Sequence, residues 1–190
     1  MIFLLIVLGY LFGSVTTAVI VARLLNLPDP RTQGSGNPGA TNMLRLGNRY
    51  AALFTLLGDV LKGTLPIILA RAINISDLDQ ALIAVAAFLG HIYPIFFHFR
   101  GGKGVATALG VLIGLAPPLA FATATTWIIV FITTRISSLS ALCAAILAPI
   151  YAWWVVTPPI FYSVFCIALL LIWRHQSNIR NLLSQRETKF

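Results

Sequence analysis

The chain has 190 residues, 58% hydrophobic and 9% charged, with thirteen basic side chains against five acidic ones and a net charge of +8. Soluble domains carry roughly a quarter charged residues, so this composition and a mean hydropathy of +0.90 exclude a water-exposed globular domain and make lipid the solvent. Nucleic acid is excluded as a partner by placement. The basic residues fall in short stretches between apolar runs, where anionic headgroups and phosphorylated substrates are the fitting counter-charges.

Seven apolar runs follow in chain order: Met1–Leu25, Tyr50–Ile73, Gln80–Phe97, Lys103–Leu115, Pro118–Thr134, Leu139–Val156 and Pro159–Trp173. Asp77 and Asp79, Gly101 and Gly102, Pro117–Pro118 and Pro158–Pro159 punctuate them. The first run is too long for a cleaved signal peptide and lacks its basic leading segment, so it reads as a retained span. With the N-terminus outside, Arg31, Arg45, Arg49, Arg100, Lys103, Arg135, Arg174, Arg180, Arg186 and Lys189 fall at the cytoplasmic side, and only Arg71 falls outside with Asp77 and Asp79. Trp153 and Trp154 then mark the outer interface and Trp173 the inner one. The expected fold is all-α, a polytopic membrane bundle of about seven spans with the C-terminus cytoplasmic, in one domain over 1–190. Lys103–Leu115 is shorter than the roughly twenty residues of a span. It either makes a short span of its own or fuses with the next run into a helix kinked at Pro117–Pro118. Fusion gives roughly 45 Å of helix, so two short spans are expected. Cys143 and Cys166 lie within apolar runs and read as small buried hydrophobes.

Three polar segments are candidates for chemistry. Gly34, Ser35, Gly36, Asn37, Gly39, Thr41 and Asn42 combine backbone freedom with side-chain donors. A helix starting near Ala40 points its N-terminus there and sets Arg45 and Arg49 four residues apart on one face. The alternative is a flexible loop with topology-marking arginines. Arg100, Gly101, Gly102, Lys103, Gly104 and, beyond them, Thr107 open the fourth run with a second anion cradle. It is not a nucleotide-binding loop, because Gly104 stands where Ser or Thr follows the lysine. A tight, positively charged turn is the plainer reading. The third segment runs from Arg174 through His175 and Asn178 to Glu187 and Lys189. A helix there puts His175 and Asn178 on one face, unless the tail is only a basic surface helix.

Within the spans, Asp59 and Lys62 stand at i and i+3 and can form an ion pair, structural or substrate-facing. His91 is a packing or catalytic group. Ser138 and its neighbours cap a helix or bind phosphate. No cluster of His, Cys or carboxylates can hold a metal, no Ser/His/Asp set is present, and no cofactor is implied. The His-x4-Asp pattern of common membrane acyltransferases is absent: Phe96, Lys103 and Arg180 stand five residues after the three histidines. The four aspartates are scattered, unlike those of CDP-alcohol phosphotransferases.

Four stretches resemble the bacterial acyl-phosphate:glycerol-3-phosphate acyltransferases: Gly34-Ser35-Gly36-Asn37-x-Gly39-Ala40-Thr41-Asn42, Asp59-x-x-Lys62-Gly63, Gly90-His91-x-Tyr93-Pro94, and Arg100 to Thr107. The tail matches at His175, Asn178, Ile179, Glu187 and Lys189, while Gln176 and Asn181 stand where the family has arginines and Gln185 where it has glycine. The resemblance covers the whole chain. It implies transfer of a fatty acyl group from acyl phosphate to the 1-hydroxyl of glycerol 3-phosphate, giving lysophosphatidic acid and phosphate. It further implies a bacterial cytoplasmic membrane location with the site facing the cytoplasm. The first loop with Lys103 would hold phosphates, and His175 with Asn178 would orient glycerol 3-phosphate. Acyl phosphate, glycerol 3-phosphate and membrane lipid are the implied partners. A transporter of organic phosphates shares the basic segments but needs a polar path across the bilayer, and a lipid-binding scaffold explains only the tail.

Overall fold

Lipid offers the backbone no hydrogen-bonding partner, so each apolar run must satisfy its own amides and carbonyls as helix. The computed structural model describes residues 1–190 and contains ten α-helices. They are α1 (Ile2–Gly13), α2 (Thr17–Leu24), α3 (Ala40–Arg45), α4 (Arg49–Ala72), α5 (Asp77–Ile92), α6 (Val105–Leu115), α7 (Pro117–Thr134), α8 (Ser137–Val155), α9 (Pro158–Arg174) and α10 (Gln176–Leu183), with a 3-10 turn at Ile95–Phe97. Helices α4, α7 and α8, and α5 with its 3-10 turn, are each long and apolar enough to cross a membrane. The pairs α1–α2 and α9–α10 qualify together, bent by 45° and 59°, and α6 is a shorter apolar helix.

The first run is a span only as a bent pair and not as one continuous helix, because it breaks at Ser14–Thr16 into α1 and α2. A break in the bilayer exposes carbonyls that must find donors. Lys62 supplies one, its ammonium donating to the Val15 carbonyl at 2.7 Å. The α6–α7 region settles as two helices and not one kinked rod. Ala116 takes an extended conformation, Pro117 starts α7 without needing an amide donor, and the chain reverses. Lys103 before α6 and Arg135 after α7 therefore lie at the same end of the bundle.

Close backbone approach fixes the register of two parallel pairs. A Cβ on Gly110 would collide with the Val60 carbonyl, one on Gly63 with the Thr107 carbonyl, and one on Gly13 with Ala87. Helix α6 thus runs along α4, and α1 along α5, in contacts that only glycine permits. Phe88, Ile92, Ile67 and Val111 are fully buried between these helices. The register also places the start of α6 against residues near Asp59, about 15 Å along α4 from its first residue at 1.5 Å per residue. The Arg100–Gly104 segment is therefore recessed within the bundle.

The basic side chains gather at that end. At the opposite end Thr157 donates to Asp77 at 2.8 Å, and Arg71 donates to the Gly114 carbonyl at 2.9 Å. Trp153 and Trp154 close α8 at the same opposite end and are exposed. Cys143 and Cys166 are free. Cys166 is exposed on its helix instead of buried as expected, because it lies on the lipid-facing side of α9.

The α4–α6 contact makes a direct prediction. Gly110→Val overpacks it at a backbone carbonyl and should lower the thermal unfolding midpoint in detergent by roughly 4 °C or more. Leu61→Val, at an exposed position of α4, should leave that midpoint within a degree or so of the parent's.

Candidate active site

The glycine-rich loop is shaped by its own last residue. Asn42 is buried; its carbonyl oxygen accepts from the Ser35 amide at 2.9 Å, and its amide donates to the Pro30 and Gln33 carbonyls. Gly34 and Gly36 take φ of +57° and +69°, values that a Cβ would strain. This folding presents Ser35, Asn37, Gly39 and Thr41 to a cavity, while Gly36 turns to the other side of the loop. Thr41 also meets Ser137 at 3.3 Å, tying the loop to the start of α8. Asn42 lines the cavity, but its hydrogen-bonding groups are spent on the loop, so it is a staple and not a free donor.

Gly101 and Gly102 differ from the cradle expected of them. The Gly102 amide donates to the His91 carbonyl, and both glycine carbonyls accept from Arg174 at 3.1 and 3.2 Å. Arg174 thereby pins the segment that aims Lys103. The Lys103 ammonium donates to the Asn178 side-chain oxygen. The Asn178 amide and the Ser138 hydroxyl both donate to Glu187, at 2.6 and 2.7 Å. Ser138 therefore neither caps α8 nor stands free. Burial lowers the Lys103 pKa from its ordinary value, with the Glu187 charge opposing the shift.

His175 sits in the break after the last span, where α9 gives way to α10. Its Nδ1 is 2.8 Å from the Leu171 carbonyl, so Nδ1 carries the proton and Nε2 is left as an acceptor. Burial pushes the imidazole down to about 4, the Lys103 charge reinforcing it against the Leu171 hydrogen bond. His175 and Asn178 reach the same cavity, although a bend and not a continuous helix brings them there.

That cavity has a volume of about 320 Å³. At its mouth stand Ser35, Thr41, Arg45, Lys103, His175 and Glu187. Three helix N-termini converge on it: α6 through Gly104 and Val105, α8 through Ser137 and Ser138, and α10 through His175 and Asn178. None of the three has a side-chain cap or an acidic residue in its first turn. Free first-turn amides and aligned peptide dipoles make each a site for negative charge. Arg45 adds a guanidinium whose Nε is buried without a partner. Its other contacts are the Thr188 carbonyl and the Phe190 ring, 4.8 Å from the guanidinium carbon. Away from the mouth the wall turns apolar, with Ala141, Ala144, Ala145 and Ala148 in file along α8 facing Ile167 and Leu171 of α9.

Asp59 and Lys62 form an ion pair of 2.8 Å in the bundle interior. Asp59 borders the cavity and lies 3.8 Å from His91, whose Nδ1 is 3.0 Å from the Thr107 hydroxyl. Lys62 and Thr107 face away from it. This cluster braces the recessed segment, because the His91 carbonyl holds the Gly102 amide. Arg49 is not part of the site. Helix α3 ends at Arg45 and α4 begins at Arg49, so the shared helix face does not exist, and Arg49 lies over Tyr50 at 5.1 Å. Gly34 likewise shapes the loop without lining the cavity. Ser137, the neighbour of Ser138, lines the site as one of the two readings of that hydroxyl run had it, whereas Thr123, Trp127 and the α8 alanines line it but were not expected there. For the alanines the spacing i, i+3, i+4, i+7 carried the signal of one small-residue face.

The chain matches the family model described as glycerol-3-phosphate acyltransferase over residues 3–185. A glycerol-3-phosphate acyltransferase of Methylococcus capsulatus is 52% identical over 98% of this chain and 94% of its own length. The corresponding protein of Pseudomonas fluorescens is 49% identical over the whole of both chains. Two crystal structures of PlsY, an integral membrane glycerol 3-phosphate acyltransferase, superpose with TM-scores of 0.94 and 0.93. They are 36% and 35% identical and cover 100% of this chain and 95% of theirs. One is the glycerol 3-phosphate form and the other the lysophosphatidic acid form.

Breaking the buried Asp59–Lys62 pair should cost more than removing it whole. Asp59→Leu leaves an uncompensated ammonium and should destabilise by about 3–5 kcal/mol. Asp59→Leu with Lys62→Met should recover only part of that loss in the same detergent unfolding assay, because the Val15 carbonyl then lacks its donor. Strictly additive losses would show that the pair contributes no coupling.

Proposed function

The chain belongs to the glycerol-3-phosphate acyltransferase family, and from that premise we propose that it transfers a fatty acyl group from acyl phosphate to the 1-hydroxyl of glycerol 3-phosphate. The products are lysophosphatidic acid and inorganic phosphate. The observation that carries this reading is the continuity of the cavity. An anion-holding mouth passes directly into an apolar trough between α6, α8 and α9, which suits a substrate with a phosphate at one end and an alkyl chain at the other. One turn beyond the trough Leu115, Ala152 and Ile160 are buried in the core, so the reading favours an acyl slot over a polar path for transport.

An acyl phosphate is already an activated mixed anhydride, so no covalent enzyme intermediate is needed. The task is to hold two phosphates side by side and aim a hydroxyl at the acyl carbon. Ser35, Asn37, Thr41 and the α6 and α8 N-termini are assigned to the phosphate of the donor, and Lys103, Arg45 and Asn178 to that of glycerol 3-phosphate. Burial disfavours the Lys103 charge, and a phosphate beside the ammonium opposes that shift and favours the charged form. His175 accepts from the glycerol hydroxyl through Nε2 as it binds, and the hydroxyl turns that one proton to a substrate phosphate oxygen as it attacks. The hydroxyl oxygen bonds to the acyl carbon, the bond from that carbon to the phosphate oxygen breaks, and the hydroxyl proton passes to a substrate phosphate oxygen. An imidazole with a pKa near 4 is a weak base, which favours a substrate phosphate in that role. The positive-inside rule would place the basic end, and with it the site, at the cytoplasmic face.

The test is phosphate release by purified protein given palmitoyl phosphate and glycerol 3-phosphate, with each omitted in turn. Release should need both and should match lysophosphatidic acid in amount; release without glycerol 3-phosphate would refute the reading. Lys103→Ala should lose about two to four powers of ten in kcat/KM. The acid limb of the wild-type profile should follow a substrate phosphate, whose second pKa is about 6. As pH falls through that value the phosphate takes a proton and can no longer accept one, while His175 would give a limb only near 4. A limb near 6 that vanished in His175→Gln would return the role of base to histidine.

A further inference from the structure

Two polar groups on α7 face the cavity and have no assigned task. Thr123 and Trp127 are four residues apart, so they share a helix face, and both line the cavity. The Thr123 hydroxyl oxygen and the Trp127 indole nitrogen are closed off from solvent without a hydrogen-bond partner. Threonines in helices commonly avoid this by bonding a carbonyl one turn back. On this same helix Thr126 bonds the Ala122 carbonyl at 3.0 Å, Thr133 that of Ile129 at 2.9 Å, and Thr134 that of Val130 at 2.7 Å. Thr123 does not. The indole N–H has no such outlet at all, being a donor only.

The Trp127 ring is held in place. It stacks on Phe131 at 4.9 Å, Phe131 meets the edge of Phe190 at 5.7 Å, and Phe190 packs against Arg45. Its level follows from the α6–α7 hairpin. Val105 stands eleven residues before Ala116 and Trp127 eleven after it, so the indole lies beside the first turn of α6, just below Lys103. That level is the boundary between the anion-holding mouth and the apolar trough.

We propose that the Trp127 indole N–H, with the Thr123 hydroxyl from one helical turn away on the same face of α7, binds the acyl carbonyl oxygen of the donor. The inference rests on the acyl-phosphate reading above. In an acyl phosphate the carbonyl joins phosphate to alkyl chain, which is the boundary these two donors occupy. When the glycerol hydroxyl adds to the carbonyl carbon, the carbonyl electron pair moves onto that oxygen. The indole N–H then faces a full negative charge until the pair returns and phosphate leaves. A donor fixed by ring stacking needs no reorganisation to meet that charge, and it strengthens in the transition state more than in the ground state.

The test uses the full chain in lipid, with kcat and KM measured separately for palmitoyl phosphate and glycerol 3-phosphate. Trp127→Phe keeps an aromatic ring on Phe131 and deletes the N–H together with part of the indole's bulk. It should lower kcat by roughly 10- to 100-fold, with the KM for glycerol 3-phosphate within twofold of wild type and the unfolding midpoint unchanged. Thr123→Val should lower kcat less, and Thr123→Ser should restore it. A Trp127→Phe kcat within twofold of wild type would overturn the inference, as would a loss tracking a lowered unfolding midpoint. Wild-type protein that transfers from an acyl thioester and not from acyl phosphate would overturn the donor reading and this inference with it. Wild-type activity on acyl phosphate beside an unimpaired Trp127→Phe would overturn this inference alone.

Discussion

A helix that starts inside a membrane protein leaves its first amides without partners, and hydrocarbon cannot supply any. Here α6, α8 and α10 all start beside one cavity, uncapped by any side chain. The rest of the architecture follows from that constraint. The amides are tolerable only around a polar, anion-accepting space, so the helices that begin there must be held apart at that end and packed tightly elsewhere. Gly63 and Gly110 provide the tight packing by letting α4 and α6 touch backbone to backbone. The Asp59–Lys62 pair and His91 brace the segment from which α6 departs.

Charge within the space is balanced by reach from distant parts of the chain. Glu187 arrives from the tail and collects Asn178 and Ser138, and Asn178 in turn accepts from Lys103. Thr188 and Phe190 then tie the tail to Arg45 and Arg135. The lone carboxylate at the mouth thus offsets the basic groups while the site is empty, at an interior where unpaired charge is expensive. A phosphate entering among the same donors would compete for Asn178 and Ser138, which fits a site that exchanges anions instead of merely collecting them.

Much of this was legible in the residues. Runs of apolar side chains gave the helices because in lipid the hydrophobic length of a segment dictates its structure with little competition. Gly-Ser-Gly-Asn and Arg-Gly-Gly-Lys-Gly marked the two recessed loops by their need for unusual backbone and for donors. The break at Ser14–Thr16 was not legible, because its justification, the Lys62 ammonium on the Val15 carbonyl, lies forty-seven residues away. Arg49 was misplaced for a related reason: spacing alone cannot show that a helix stops at Arg45 and a new one begins. Trp127 escaped notice because an aromatic in a span ordinarily faces lipid or core, and only the empty surroundings of its nitrogen set it apart.

The recess of α6 has a bearing on how an amphipathic molecule would reach this protein. An eleven-residue helix is about half the length of a full crossing, so the lysine before it waits below the headgroup plane. A molecule with a fatty tail would not have to be lifted from the bilayer to be handled. Drawing even ten methylenes into water would cost about 8 kcal/mol, a barrier that a soluble enzyme working on the same lipid must offset with its own binding surface. On the proposed function the small polar partner would make the journey, descending into the protein while the greasy one stayed where it is already soluble. The short helix would then make the membrane itself part of the binding pocket.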